Sequence, residues 1–113
     1  MTSLKRHCES KIRQLLKQFP AVILLGVRQC GKTYLSKNLY PKWKYFDLEN
    51  LKDRDFITRD FDFFFKEFPK HVILDEVQEV PELFKNLRSV IDQNRKQNNR
   101  FLITGSSSLE LIT

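Results

Sequence analysis

Ala21-Val-Ile-Leu-Leu25-Gly26-Val-Arg-Gln-Cys-Gly-Lys-Thr33 is the stretch on which the reading of this chain turns. Its first five residues form an apolar run of strand length without polar alternation, the pattern of a strand covered on both faces. The next eight fit G-x-x-x-x-G-K-[ST]. Two glycines let the backbone curl so that successive N–H groups point inward at phosphate oxygens. Helical character resumes over Lys32–Leu39, and the positive N-terminal end of a helix adds to an anion site. Lys32 is expected to reach the β- and γ-phosphates, and the Thr33 hydroxyl to bind Mg²⁺. The match falls between an expected strand and an expected helix, the context that gives the motif its meaning. Gly26, Val27, Arg28, Gln29, Cys30, Gly31, Lys32, Thr33 and Tyr34 are therefore the candidate nucleotide-contacting residues, with ATP and Mg²⁺ as cofactors.

Upstream, Leu4, Cys8, Ile12, Leu15, Leu16 and Phe19 recur at helical spacing, so residues 3–18 read as an amphipathic helix that Pro20 ends. Downstream, Lys44–Leu48 reads as a second strand and His71–Leu74 as a third. Asp53–Phe68 carries Ile57, Phe61, Phe64, Phe65 and Phe68 at the spacing of one helix stripe. Pro81 opens a further helix with Leu83, Leu87, Val90 and Ile91 on its buried side. Phe101–Thr104 is a fourth strand, and Gly105–Ser108 a loop. Strands alternating with helices predict an α/β fold, a mainly parallel sheet between helical layers. Right-handed crossovers then bring Gly26, Asp47, Asp75 and Thr104 to one edge, where ligands of open α/β sheets bind.

At that edge, His71-Val-Ile-Leu-Asp75-Glu76 ends an apolar strand in two acids. An Asp beside a phosphate loop can hold the water shell of a metal opposite Thr33. The adjacent Glu can take a proton from an attacking water. Without the loop, such a pair is ordinary surface punctuation, so its assignment depends on Gly26–Thr33. Phe101-Leu-Ile-Thr104-Gly-Ser-Ser-Ser108 ends its strand in hydroxyls, and Thr104 or Ser106 could contact the γ-phosphate. A helix cap is the competing role for these serines.

Other features point to no site. The phenylalanines fit burial better than base stacking, and only Phe63 falls off the stripe as a candidate partner contact. Cys8 and Cys30 are too few for a disulfide framework, and His7 and His71 lack companion ligands. The formal charge of +6 permits contact with nucleic acid, but the basic residues are spread along the chain as on solvated helix faces. No apolar run is long enough to cross a bilayer, and no secretory signal is evident, so a cytoplasmic location is expected.

The phrases GVRQCGKTYL, HVILDEVQEVPELFKNL and RFLITGSSSLEL together resemble the AAA+ ATPases of the P-loop NTPase class. The nearest likeness is to bacterial and archaeal single-chain ATPases with a separate C-terminal nuclease-like domain. The resemblance covers nearly all of residues 19–112. It implies nucleotide and metal binding by Lys32 and Thr33, Mg²⁺ held at Asp75, water activated by Glu76, and γ-phosphate sensed by Thr104. Lys32, Glu76 and Thr104 are then the candidate catalytic set. Family members continue past the sensor strand through another strand, a lid and the C-terminal domain. Residues 1–113 are accordingly expected to be one truncated ATP-binding domain of about four strands, with residues 1–19 leading into it. A fifth strand is expected beside Ala21–Leu25, and the lid arginine and arginine finger beyond Thr113. Arg28, Arg88, Arg95 and Arg100 are the substitutes at hand. The expected activity is Mg²⁺-dependent ATP hydrolysis, in the intact parent if not in this chain, and a homo-oligomer or the C-terminal region would be the partner. The competing expectation is a non-catalytic nucleotide-binding or interaction module.

Overall fold

A computed structural model of the protein describes residues 2–25 and 40–105, with side-chain surroundings for 9–24 and 40–105. The expected loop and its flanking helix, Gly26 through Leu39, lie outside the described residues, as do Ser106 and the end of the chain.

Helix α1 (Thr2–Gln18) leads into β1 (Ala21–Leu25), and β2 (Lys44–Asp47) follows the undescribed segment. Next come α2 (Leu51–Arg59), α3 (Phe61–Glu67), β3 (Val72–Asp75), a 3-10 turn (Val77–Glu79), α4 (Pro81–Gln93) and β4 (Phe101–Gly105). The four strands form one sheet in the order β1-β4-β3-β2, and every pairing is parallel. The fold is mixed α/β, as the alternation of strands and helices predicts.

Strand alternation sorts the core into two layers. Val72, Leu74, Phe101 and Ile103 point to the face covered by α2, α3 and α4, where they meet Ile57, Phe64, Phe65, Leu83 and Leu87. The alternate residues Val22, Ile73 and Leu102 meet Ile12 and Leu16 of α1 on the other face. Arg13 of α1 also lies over the Tyr40 ring, which stacks on Trp43. Phe64 is fully buried and Phe65 nearly so, packed edge-on against one another, with Phe64 edge-on to Phe46, Phe65 edge-on to Phe101 and Phe64 tilted against Phe68. Such edge-to-face pairs add to area burial, so the aromatic cluster is core. Phe63 stands half exposed, as its place off the stripe implies.

One expected element differs. The stripe over Asp53–Phe68 is two helices, divided at Asp60, whose backbone is extended at φ −161°. The Asp60 carboxylate accepts the Phe63 N–H and its carbonyl accepts the Phe64 N–H, so this residue ends α2 and caps α3. Asn50 caps α2 in the same way, which starts that helix at Leu51, two residues before Asp53. Capping chemistry within the stripe outweighs the continuity of its apolar period.

Among the described residues, β1 and β2 are the edge strands, and Ile23 of β1 is 37% exposed. No helix there is long and apolar enough to cross a membrane.

Candidate functional site

All four strands run the same way, so Leu25, Asp47, Asp75 and Gly105 mark one edge of the sheet. Alternation puts Asp75 on the face of Ile73, and Thr104 on the face of Leu102, so both side chains lie on the α1 side. Tyr45 and Asp47 take that same face, because Phe46 between them packs into the opposite core. Four chemically active side chains thus share one face and one edge.

Asp75 is 5% exposed and Thr104 1% exposed. Burying a carboxylate is costly unless hydrogen bonds replace its water. Here each oxygen has a partner: the Thr104 hydroxyl donates to Oδ1, and the Tyr45 phenol donates to Oδ2 at 2.5 Å. The Thr104 oxygen in turn accepts the Glu76 N–H at 3.1 Å. One hydroxyl therefore ties the last residue of β3 and its successor to β4. Burial, the bond to Asp75 and the nearby charges of Asp75, Asp47 and Asp53 hold the Tyr45 phenol far above the usual range for tyrosine. It is a donor at any ordinary pH.

Glu76 adopts the left-handed conformation (φ 63°, ψ 51°) at the head of the 3-10 turn. Outside glycine this region costs about 1 kcal/mol or more, and such residues gather at functional sites. The turn stops β3 abruptly. Gln78 donates to Glu76 Oε1 at 3.2 Å. Glu49 faces the same carboxylate, and its hydrogen bond to Glu76, together with Glu76's charge, raises the Glu49 pKa. Asp47 stays local, accepting the Glu49 N–H, while its own N–H goes to Asp53.

Among the described residues, no group of three or more acidic, histidine or cysteine side chains converges to hold a metal. Mg²⁺ is commonly held by one or two carboxylates, with water and phosphate oxygens completing its shell. Asp75, with hard oxygens fixed at the edge, is the described residue best suited to such a role.

Asp75, Glu76 and Thr104, singled out from separate parts of the sequence, come together through direct hydrogen bonds. Gly26 to Tyr34, including Lys32 and Thr33, lie outside the described residues, but β1 delivers the chain to this edge, with Leu25 opposite Gly105 of the strand bearing Thr104. Arg100 does not belong to the site. It precedes β4 at the opposite edge, four residues and roughly 13 Å from Thr104. Buried there, it donates to the carbonyls of Pro69 and Val90. Arg95, just past α4, pairs with Asp92 on the surface, and Arg88 lines an open cleft of about 480 Å³ with Lys85 and Asp92. Tyr45 and Glu49 escape sequence reading. The alternation of Lys44-Tyr-Phe-Asp47 was the available signal for Tyr45: with Phe46 in the core, Tyr45 must share the face of Asp47.

Against known proteins, the sequence profile of the AAA domain matches residues 18–113. The uncharacterized proteins Rv2008c of Mycobacterium tuberculosis and Mb2031c of Mycobacterium bovis are each 34% identical over 111 residues, covering 96% of this chain. The chain spans about a quarter of the length of these relatives, 24% in each case. No solved structure matches.

Proposed function

The chain belongs to the AAA domain family, and from that premise we propose that it binds Mg·ATP at the edge carrying Asp75 and Glu76 and hydrolyses it. The observation that carries the reading is the joining of Asp75, Glu76 and Thr104 at the edge to which β1 leads the G-x-x-x-x-G-K-T segment.

On this reading, the backbone N–H groups of Gly26–Thr33 cradle the phosphates, Lys32 balances their charge, and Tyr34 flanks the nucleotide. Thr33 and Asp75 would hold Mg²⁺, which would supply positive charge against the phosphate oxygens. Glu76 accepts a proton from water as the water oxygen bonds to the γ-phosphorus and the bond to the bridging oxygen breaks, leaving ADP and phosphate. Thr104 fixes Asp75 and Glu76 relative to each other and stands next to the γ-phosphate position. Residues 1–113 act as one ATP-binding unit with residues 1–19 leading in. A nuclease-like C-terminal domain, a cytoplasmic setting and self-association complete the picture for the whole protein.

The test is Glu76→Gln. It should leave Mg·ATP binding within about threefold and abolish single-turnover phosphate release, because an amide cannot accept the proton. Unchanged turnover would remove Glu76 from the mechanism. A second reading, nucleotide binding without turnover, is favoured by Arg95 and Arg100, which lie away from the site's edge, and by Arg54, which near that edge is already engaged with Leu48 and Glu79. Arginine charge at the transition state is worth roughly 10³–10⁵ in rate in systems of this chemistry. Under that reading ATP raises the melting temperature while phosphate release stays at background in both parent and variant.

A further inference from the structure

We propose that Tyr45 is a positioning residue for the metal site, its phenol setting the orientation in which Asp75 meets the water shell of Mg²⁺. The inference rests on the reading of Asp75 given above and adds a residue from β2 to it.

The geometry is specific. In the strand register Tyr45 lies opposite Ile73, not Asp75. Its phenol reaches two residues along the neighbouring strand, roughly 6–7 Å, to arrive at Oδ2. Few side chains are long enough to span that offset and end in a hydroxyl. Tyr45 is 39% exposed as a residue, while its phenol is turned into a part-buried contact with Asp75. It donates to the one carboxylate that, among the described residues, the fold buries at this edge. Thr104 holds the other oxygen from β4, so Asp75 is gripped from both neighbouring strands. A carboxylate oxygen can accept two hydrogen bonds. Each Asp75 oxygen thus keeps one acceptor site, and the two hydroxyls determine where those sites point.

The partners of a metal-holding side chain tune its affinity, and their loss typically costs 10–100-fold. Thr104 remains in place in a Tyr45 variant, so the lower figure applies. Tyr45→Phe keeps the ring and its packing and removes only the hydroxyl.

The experiment measures the ATP dissociation constant of the protein by calorimetry, with Mg²⁺ and with EDTA, for the parent, Tyr45→Phe and Asp75→Asn. The quantity read is the factor by which Mg²⁺ tightens ATP binding. It should fall about tenfold in Tyr45→Phe and at least as far in Asp75→Asn, with the EDTA affinity weakened in neither. Loss of the fold would lower both affinities together, which the EDTA arm detects. A factor reduced in Asp75→Asn and intact in Tyr45→Phe removes Tyr45 while leaving the site. A factor that rises in Tyr45→Phe also overturns the proposal, since the phenol would then compete with the metal's water. A factor indifferent to Asp75→Asn removes the reading of Asp75 and this inference with it.

Discussion

Thr104→Val replaces one hydroxyl by a methyl of nearly the same size, and two groups lose a partner. The hydroxyl donates to the buried Asp75 carboxylate and accepts the Glu76 N–H, and it is itself 1% exposed. A hydrogen bond to a charged group contributes about 1.5–3 kcal/mol net, and a buried polar group left without its partner costs about 1–3 kcal/mol. Tyr45 still holds the other Asp75 oxygen, and partial relaxation brings water to the edge, so the total falls short of the simple sum. We expect a loss of about 2–4 kcal/mol. Thr104→Ser keeps the hydroxyl and gives up one buried methyl, about 1 kcal/mol. Urea unfolding separates the two. With a slope of about 2 kcal/mol per molar, typical of small domains, the midpoint should drop by about 1–2 M in the valine variant and by about 0.5 M in the serine variant, at unchanged slope. ATP should be absent, since bound ligand would add its own stabilisation. A valine variant as stable as the serine variant would show that the hydroxyl does not hold Asp75 and Glu76 together, and the geometry of the site would need revision.

Two further outcomes test other parts of the edge and the sheet. Glu76→Gly should raise stability by about 0.5–1 kcal/mol, because glycine occupies the left-handed region without a Cβ clash, while phosphate release is lost; a destabilised variant would mean that the contacts of Glu76 with Gln78 and Glu49 outweigh the strain. His71, stacked on Trp43, has its pKa lowered by burial and then by Lys70, so the unfolded chain binds a proton at a higher pH than the folded one. Stability should therefore decline as pH falls from about 7 through the folded value, and His71→Gln should flatten that slope in pH-dependent thermal melts; an identical slope would assign the acid sensitivity elsewhere.

The elements most legible in the sequence were those with a single dominant signal. Ala21–Leu25 and Phe101–Ile103 are unbroken apolar runs, and both lie in strands, the second continuing through Thr104 and Gly105, where the sequence predicts a loop from Gly105. Pro81 stands at the first turn of α4 because a residue without an N–H loses nothing there. The Asp60 break was hidden because the apolar period runs through it unchanged, and only the capping contacts of its carboxylate show where the chain turns. At the candidate site, the nearness of Asp75 and Glu76 to one another could be read because the two are contiguous. The contact of Tyr45 could not, because it depends on strand order. Only once β2 is known to pair with β3 does a tyrosine thirty positions away become a partner of Asp75. Likewise, nothing local to Glu49 predicts that it faces Glu76.

The central claim, that the edge bearing Asp75 and Glu76 serves a nucleotide held by the Gly26–Thr33 segment, is tested most directly by calorimetric titration of Mg·ATP into the parent protein and Lys32→Ala. Removing one charge-assisted hydrogen bond of about 1.5–3 kcal/mol should weaken binding by about one to two orders of magnitude. Equal affinity in the two proteins, or no binding by the parent, would contradict the claim.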